Sequence, residues 1–212
     1  MRLIIFFILL SSFAFSQKQK PFTGRLVYTV SITDTAFTSI FPEKKMTLYT
    51  NDTLVRVENM TEQFGLQVAI RHLELNKSYL LLNTYKGKFA IQTKFETDEV
   101  KESKFTFKKK FGSKKIAGLK AKKLEVTHEG FENPLTFYYF KKLKSSYLDG
   151  FENFPGLLAE YYIPTPDGIF KYTLVSLEND PTNQDLYGIP TDFEKISMDD
   201  FVDLMTSGSE EN

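Results

Sequence analysis

A succession of short apolar segments separated by turn residues is the feature that most constrains the fold of this chain. The stretch GRLVYTVSIT, residues 24–33, alternates apolar and polar side chains with a period of two, which is typical of a half-buried β-strand. The stretch KMTLYTNDTLVRVEN predicts a hairpin that turns at Asn51 and Asp52. PTPDG predicts a tight turn because proline sets φ and Gly168 accepts a positive φ. The pattern predicts a mainly β protein.

Three later segments are almost continuously apolar: SYLLLN, LTFYYF and LLAEYYI. In an antiparallel sheet, such runs indicate that both faces of a strand are covered or that one face lines an apolar cavity. A sheet of ten or so strands in one domain avoids long open edges by curling. We therefore expect a single-domain curved antiparallel sheet, a half-barrel with something filling its concave side.

The first residues, MRLIIFFILLSSFAFSQ, have the pattern of a secretory signal peptide. Arg2 is the basic start, residues 3–10 are the apolar core, and Ala14 and Ser16 are small residues at a cleavage site. We expect residues 1–16 to be removed and residues 17–212 to form one exported domain, periplasmic or secreted. The chain has no cysteine, which excludes disulfides and an acylated N-terminal cysteine. We expect a protein that neither spans a membrane nor carries a lipid anchor.

The C-terminal stretch SMDDFVDLM predicts the one clear helix, over residues 197–206. Ser197 is placed as its N-cap, with Asp200 three residues on as in a capping box. The packed face is predicted to carry Met198, Phe201, Val202 and Met205.

Charge is unevenly distributed along a chain whose net charge is zero. Residues 101–144 contain 13 Lys and 4 Glu, a net +9, whereas residues 149–212 contain 14 acidic residues and 2 Lys, a net −12. Either the charges decorate solvated strand faces and the basic and acidic halves attract one another in the fold, or the lysines form a basic strip for an anionic headgroup or phosphate. No segment has the spacing of a nucleic-acid-binding module, so we expect no nucleic-acid partner.

Residues that could carry catalysis are sparse. His72 and His128 are separated by 56 positions, without carboxylates at metal-ligand spacing, and Ser113 lacks a base and its orienting partner. Glu160, within an apolar strand, has three interpretations: a solvent-facing position, a partner to a buried Lys or Arg, or a catalytic acid. We expect a protein that is not an enzyme and that uses no metal or cofactor.

The stretch NFPGLLAEYYIP, residues 153–164, predicts a turn that leads into a strand. Gly156 is expected to supply backbone freedom after Pro155. The apolar residues that follow are expected to serve both faces of that strand: Leu157, Leu158, Tyr161 and Tyr162.

Five segments of the chain resemble segments of a known group of proteins. KIAGLKAKKLEV, residues 115–126, resembles the I-x-G-x-K-x-K-K-x-x-V strand of small exported Bacteroidetes proteins, an uncharacterised family with a Gly-Leu-Pro-Gly-Leu-Ile-type motif and relatives described only as domains of unknown function. FPGLL is a shortened match to that motif, and MTLYTNDTLVRVEN, ELNKSYLLLN and GIPTDFEKISMDDFVDLM are similar in order and spacing. The resemblance implies the architecture of envelope lipoprotein carriers (LolA-like), a half-barrel around a cavity for acyl chains. Carriers of this class usually have a helical lid between early strands, and the resemblance places that lid on TAFTSIFPEKK, residues 35–45. The chain departs from members that are lipoproteins, because it lacks their N-terminal cysteine.

Two functions are therefore expected as alternatives. The first is a periplasmic binding or carrier protein for a hydrophobic, lipid-like ligand, either neutral or anionic. Lys108, Lys109 and Lys110 would meet an anionic headgroup at the rim. The cavity wall would consist of Leu80, Leu82, Phe137, Tyr139, Leu157 and Tyr161. The second is a cell-envelope interaction protein, with a filled core and no small ligand, that presents its surface to an envelope protein.

Overall fold

The computed structural model describes residues 19–61, 65–93, 104–181 and 183–207; the predicted signal peptide, residues 1–16, lies outside them. The chain is mainly β, with 56% strand and 11% helix. The strands are β1 Gly24–Ile32, β2 Lys44–Thr50, β3 Leu54–Thr61, β4 Gly65–His72, β5 Lys77–Thr84, β6 Gly87–Thr93, β7 Thr106–Ile116, β8 Leu119–Thr127, β9 Leu135–Phe140, β10 Leu157–Thr165, β11 Gly168–Asn179 and β12 Glu194–Ser197. One α-helix follows, α1 Met198–Thr206, and three short 3-10 turns occur at Thr35–Phe37, Ser145–Tyr147 and Gln184–Tyr187.

All of these strands belong to one curved sheet that does not close into a barrel. Its order is β12-β6-β5-β4-β3-β2-β1-β11-β10-β9-β8-β7. Neighbouring strands are antiparallel, except that β12 lies parallel to β6. Within the described residues, β12 and β7 are the two edge strands. The predicted class, a curved antiparallel sheet with a short C-terminal helix, is confirmed.

The predicted turns occur where the turn residues stand. At the predicted turn between β2 and β3, Asp52 has φ 81°, in the left-handed region that Asp and Asn tolerate better than most residues. Asn76, with φ 51°, has the same conformation between β4 and β5. The side chain of Asn51 reinforces the first turn by accepting a hydrogen bond from the backbone N–H of Leu54 at 2.8 Å. Gly168 follows the turn between β10 and β11 with φ 132°. Local chemistry therefore determines these hairpins.

The helix prediction is confirmed in its position and cap, but its packed face differs. The hydroxyl of Ser197 accepts a hydrogen bond from the backbone N–H of Asp200 at 3.1 Å. Phe201 and Leu204 pack against the sheet, whereas Met198 and Val202 of the predicted face are exposed. The predicted lid is not α-helical, because residues 35–45 form only a short 3-10 turn before β2 begins at Lys44.

The strand register defines two faces of the sheet. Residues directly opposite each other on neighbouring antiparallel strands share a face, and one such row runs across β1 to β6: Leu26, Leu48, Val57, Ala69, Leu80 and Ile91. We call the face that carries this row the inner face. Helix α1 covers its β5–β6 end. The opposite, outer face of β4 to β6 is covered by the segment before β12, through Leu186, Tyr187, Ile189 and Phe193.

The rest of the inner face is covered by the connection between β9 and β10, residues 141–156, which we call the plug segment. Its buried apolar side chains join the main core: Tyr147, Leu148, Phe151 and Phe154. The ring of Phe151 lies edge-on to Tyr161 of β10 with centroids 5.2 Å apart, and Phe154 stacks near Phe137 of β9 at 6.3 Å. Aromatic pairs in these geometries add to the stabilisation from burial alone.

Candidate functional site

The six apolar residues predicted to line a cavity do not surround one space. Phe137, Tyr139, Leu157 and Tyr161 are buried in the main core, which the plug segment fills. Leu82 is buried and Leu80 is half-buried in a separate cluster beneath α1. These two clusters lie at different parts of the inner face, and the cavity described below is lined by none of the six residues.

Polar contacts hold the plug segment on the inner face. Arg71, on β4, is buried, and its guanidinium lies 2.9 Å from Asp149 and 3.2 Å from Glu152 of the plug segment. It also donates a hydrogen bond to the backbone oxygen of Ser146 at 3.4 Å. Because a buried charge is costly unless it is paired, these acids and Arg71 favour the docked position of the segment.

A second tether joins the plug segment to the β2–β3 turn. The ammonium of Lys144 lies 2.8 Å from the Asp52 carboxylate, and the Tyr147 hydroxyl donates a hydrogen bond to the same carboxylate. Burial alone would raise the pKa of Asp52, but the hydrogen bonds from Lys144 and Tyr147 outweigh it and hold that pKa below its ordinary value. Burial and the Asp52 carboxylate together raise the pKa of Tyr147, so its hydroxyl remains a hydrogen-bond donor.

The three lysines predicted to meet a headgroup lie on the edge strand β7. Lys108, Lys109 and Lys110 are exposed, and Lys110 forms an ion pair with Glu125 of β8 at 3.0 Å. They do not line the cavity described below. They belong to an exposed edge of the sheet, so a role as a cavity rim has no geometric support.

A cavity of about 540 Å³ opens at the end of the sheet where β8 begins and where β9 and β11 end. This volume lies within the range typical of small-molecule sites, about 300–1,000 Å³. Its apolar lining comes from the N-terminal segment, the three strands and the plug segment: Pro21, Phe22, Leu119, Phe140, Leu143 and Leu177. Phe22 and Phe140 are buried, and Leu143 and Leu177 are half-buried, so the cavity has a preformed apolar floor.

The same cavity has a basic rim. Among the described residues, the charged side chains that line it all belong to lysines: Lys20, Lys120, Lys122, Lys141 and Lys142. Among the residues the structure describes, none of these five forms an ion pair with a carboxylate. Asn179 is the other polar lining residue. An apolar floor beneath ammonium groups that have no carboxylate partner in the described part of the chain is complementary to an amphipathic anion.

The N-terminal segment forms one wall of this cavity and connects it to the plug segment. The backbone N–H of Lys20 donates a hydrogen bond to the carbonyl of Lys142 at 2.8 Å. The backbone N–H of Phe22 donates to the Tyr147 hydroxyl at 3.2 Å. Leu143, in the floor, accepts a hydrogen bond from the backbone N–H of Leu157 at 3.1 Å. These hydrogen bonds hold the N-terminal segment, the plug segment and the start of β10 together around the opening.

Glu160 is on the outward side of its strand, but two lysine partners cover it, so its side chain is not exposed to solvent. Only 4% of its surface is exposed, and its carboxylate lies 2.8 Å from the Lys114 ammonium and 3.3 Å from that of Lys171. Thr173 lies opposite Glu160 in the register, so both residues are on the outer face of the sheet. The long aliphatic parts of the two lysine side chains cover Glu160 there. The hydrogen bond that Lys114 donates to Glu160 raises the pKa of Lys114. Both lysines are partly exposed. Glu160 is therefore paired with two lysines at the surface, and not with the buried Lys or Arg of the second interpretation.

The two histidines lie far from any cluster of ligands. The Nδ1 of His72 accepts a hydrogen bond from the backbone N–H of Leu75, and the Nδ1 of His128 accepts one from Gly130. In the described part of the chain, no three His, Asp or Glu side chains converge in a way that could hold a metal ion.

The sequence indicated a basic strip that contains four of the rim lysines, but it did not indicate where the rim lies in the fold. Lys120, Lys122, Lys141 and Lys142 all fall within the basic strip of residues 101–144, but the strip alone does not distinguish them from the other lysines there. Lys120 and Lys122 share one face of β8, because they are two residues apart in a strand. The missing information was the return of Lys20 and Phe22 to this end of the sheet, which is a tertiary contact.

Comparison of the sequence with protein-family models and with curated proteins found no match. Among solved structures, the fold is similar to that of an uncharacterized conserved protein from Thermus thermophilus, with a TM-score of 0.49 and 13% sequence identity. The alignment covers 82% of this chain and 91% of that protein. In the described residues, no helix has both the length and the apolar character needed to cross a membrane.

Proposed function

We propose that this chain is a non-catalytic, exported binding or carrier protein for a lipid-like anion, held in the cavity between β8, β9, β11 and the N-terminal segment. The observation that carries this proposal is the combination of an apolar floor with five lysines that have no carboxylate partner among the described residues. The signal-peptide pattern of residues 1–16 supports the exported location. This site replaces the central cavity expected from the apolar strands.

The chemistry of the cavity favours one class of ligand. Each methylene group that leaves water contributes about 0.8 kcal/mol, so an alkyl chain supplies most of the binding free energy. A carboxylate or phosphate at its end would lie among the lysines and set the orientation. A neutral or cationic head group would leave the ammonium groups without a counter-charge. The ligand is therefore expected to be a single-chain amphiphile with an anionic head.

Isothermal titration calorimetry with alkyl carboxylates of increasing length, each below its critical micelle concentration, tests this proposal on purified protein. Affinity is expected to rise by about fourfold per methylene until the floor is covered, and then to level off. The matching alcohols and alkyl trimethylammonium ions serve as ligands of equal length without the anionic group. They are expected to bind more weakly.

A lysine double variant tests the basic rim separately. The variant Lys120→Gln/Lys122→Gln is expected to weaken carboxylate binding by tenfold or more and to leave alcohol binding unchanged. Lys45→Gln/Lys77→Gln, two exposed lysines elsewhere on the sheet, is the matched control. Equal affinities of both double variants, or no saturable binding of any carboxylate, would refute the proposal. If carboxylates do bind, mass spectrometry of organic extracts from protein purified without detergent would identify the natural ligand class.

The filled inner face supports a second function, an envelope interaction domain without a small ligand. The plug segment occupies the space in which a carrier of the expected type would hold its ligand. If no amphiphile binds to the lysine-rimmed cavity and extracts contain no stoichiometric lipid, this second function becomes the better account of the chain.

A further inference from the structure

The hairpin formed by β7 and β8, residues 106–127, is a strongly basic segment of the chain. We call it the basic hairpin. It contains 8 Lys and 1 Glu, a net charge of +7. Two of these lysines have carboxylate partners, Lys110 with Glu125 and Lys114 with Glu160. The other six form no ion pair with any of the residues the structure describes: Lys108, Lys109, Lys115, Lys120, Lys122 and Lys123.

An aromatic side chain projects from the middle of this hairpin. The β7–β8 register shifts between Lys109 and Ser113, and Phe111 lies within the resulting bulge. The Phe111 side chain is fully exposed, and Gly112 next to it has φ 120°. Leu119, beside the hairpin turn, is also 44% exposed. A bulge that directs an aromatic ring into water among lysines needs an explanation beyond stability, because burying that ring would stabilise the fold.

Protection of an edge strand explains only part of this surface. Lysines on β7 do discourage pairing with another strand. However, Lys120, Lys122 and Lys123 stand on β8, which is already paired on both sides. An exposed Phe111 on the edge would promote association and is the opposite of a protective residue. Lysines around an exposed aromatic ring are instead typical of surfaces that dock on anionic membranes.

The basic hairpin is continuous with the proposed ligand site. Lys120 and Lys122 belong both to the hairpin and to the rim of the cavity, and Leu119 lies in the cavity lining. Lys115 lies opposite Lys120 in the register and therefore shares its face. A ligand that enters over this rim would pass along the hairpin.

We infer that the basic hairpin docks on an anionic lipid surface, with Phe111 inserted at the level of the headgroups. The cavity then opens toward that surface. This inference rests on the proposed function and deepens it, because it names the membrane surface as the place where the amphiphile is collected or delivered. The lysines supply long-range attraction to anionic headgroups, and the aromatic ring supplies a short-range apolar contact.

Sedimentation with vesicles tests the inference on the purified full domain. Vesicles of phosphatidylcholine with roughly one third phosphatidylglycerol, a composition chosen for its negative surface potential, are expected to bind the protein, and pure phosphatidylcholine vesicles are not. Raising the salt concentration should lower the partition coefficient, because salt screens the attraction between exposed charges, with a screening length of about 10 Å at 0.1 M. Binding that is independent of both the lipid charge and the salt concentration would overturn the inference.

Two variants away from the cavity locate the docking surface. Phe111→Ser is expected to lower the partition coefficient roughly tenfold, and Lys108→Gln/Lys109→Gln roughly 25-fold, at about fivefold per lysine. Tyr85→Ser, which removes an exposed aromatic ring at the β5–β6 turn, and Lys45→Gln/Lys77→Gln are the matched controls and should change nothing. Equal losses in the control variants would overturn the assignment to the hairpin.

The vesicle and amphiphile assays separate the two proposals. If monomeric carboxylates bind to the cavity while vesicles do not bind, the docking inference fails and the proposed function remains. If vesicles bind through Phe111 and the hairpin lysines while no amphiphile binds, the proposed function fails and the docking surface remains. Phe111 lies outside the cavity lining, so Phe111→Ser should leave carboxylate affinity unchanged.

Discussion

Replacement of Gly156 by alanine is expected to weaken the junction between the plug segment and β10. A Cβ at this position would lie 2.3 Å from the carbonyl oxygen of Phe140 and 3.0 Å from the Cα of Lys141. Both obstacles are backbone atoms, so no side-chain rotation can relieve the overlap. The β9–β10 ladder begins at the neighbouring pair, Leu157 opposite Phe140, and must separate to admit the methyl group.

The expected cost follows from that geometry. Overpacking of a filled site typically costs about 1–3 kcal/mol, and a rigid obstacle places Gly156→Ala near the upper end, at about 3 kcal/mol. For a chain of this size, each kcal/mol lowers the melting temperature by roughly 2–4 °C, so a decrease of roughly 6–12 °C is expected. Thermal unfolding followed by circular dichroism measures it. Carboxylate affinity should fall as well, because Phe140 and Lys141 line the cavity.

Gly188→Ala is the matched control for this prediction. Gly188 has φ −78° and ψ 149°, and the nearest atom to an added Cβ is the Asp185 oxygen at 3.5 Å, an ordinary contact. The stability of the Gly188→Ala variant should be unchanged, or raised by up to about 1 kcal/mol because alanine reduces the conformational entropy of the unfolded chain. If Gly156→Ala melts at the same temperature as Gly188→Ala, the argument from close backbone approach is wrong.

Two further predictions concern buried hydrogen bonds. Tyr28→Phe removes the hydroxyl that donates to the Leu158 carbonyl at 2.8 Å, and should cost about 1–3 kcal/mol in urea unfolding, whereas Tyr85→Phe should have no effect. Because the folded pKa of Asp52 lies below its ordinary value of 3.8, its contribution to stability is present above that value and is lost as pH falls through the folded pKa. Asp52→Asn should therefore lower the free energy of unfolding by about 1 kcal/mol at pH 7 and by less at pH 3. An equal loss at the two pH values would show that the Asp52 tether to Lys144 does not contribute through its charge.

Much of the fold could be predicted because it depends on local chemistry. The Asn51-Asp52 turn, the turn before Gly168 and the Ser197 cap each depend on residues within four positions of one another. The periodicity of the apolar residues likewise predicted the strands. The packed face of α1 was partly wrong, since the position of the neighbouring strands decides which side of a helix is buried: Leu204 packs and Val202 does not.

The role of Gly156 shows where local reasoning stops. The sequence indicated a glycine needed for backbone freedom, but Gly156 has no positive φ. It is needed because the chain passes close to the Phe140 carbonyl, 16 positions away. Glu160 is similar: its neighbours Lys114 and Lys171 come from β7 and β11, so its burial could not be read from the strand in which it stands.

The sequence by itself determined the β class, the positions of the turns, the C-terminal helix and the excess of lysine in residues 101–144. These are properties of composition and of short-range periodicity, which fix the conformation of each segment. Only the tertiary structure decided that the plug segment fills the inner face and that the lysine-rimmed cavity lies at the end of the sheet. Both depend on contacts between residues distant in the chain, such as Lys20 with Lys142 and Arg71 with Asp149. Such contacts form only when the curved sheet brings separate segments together, and no periodicity along the chain encodes them.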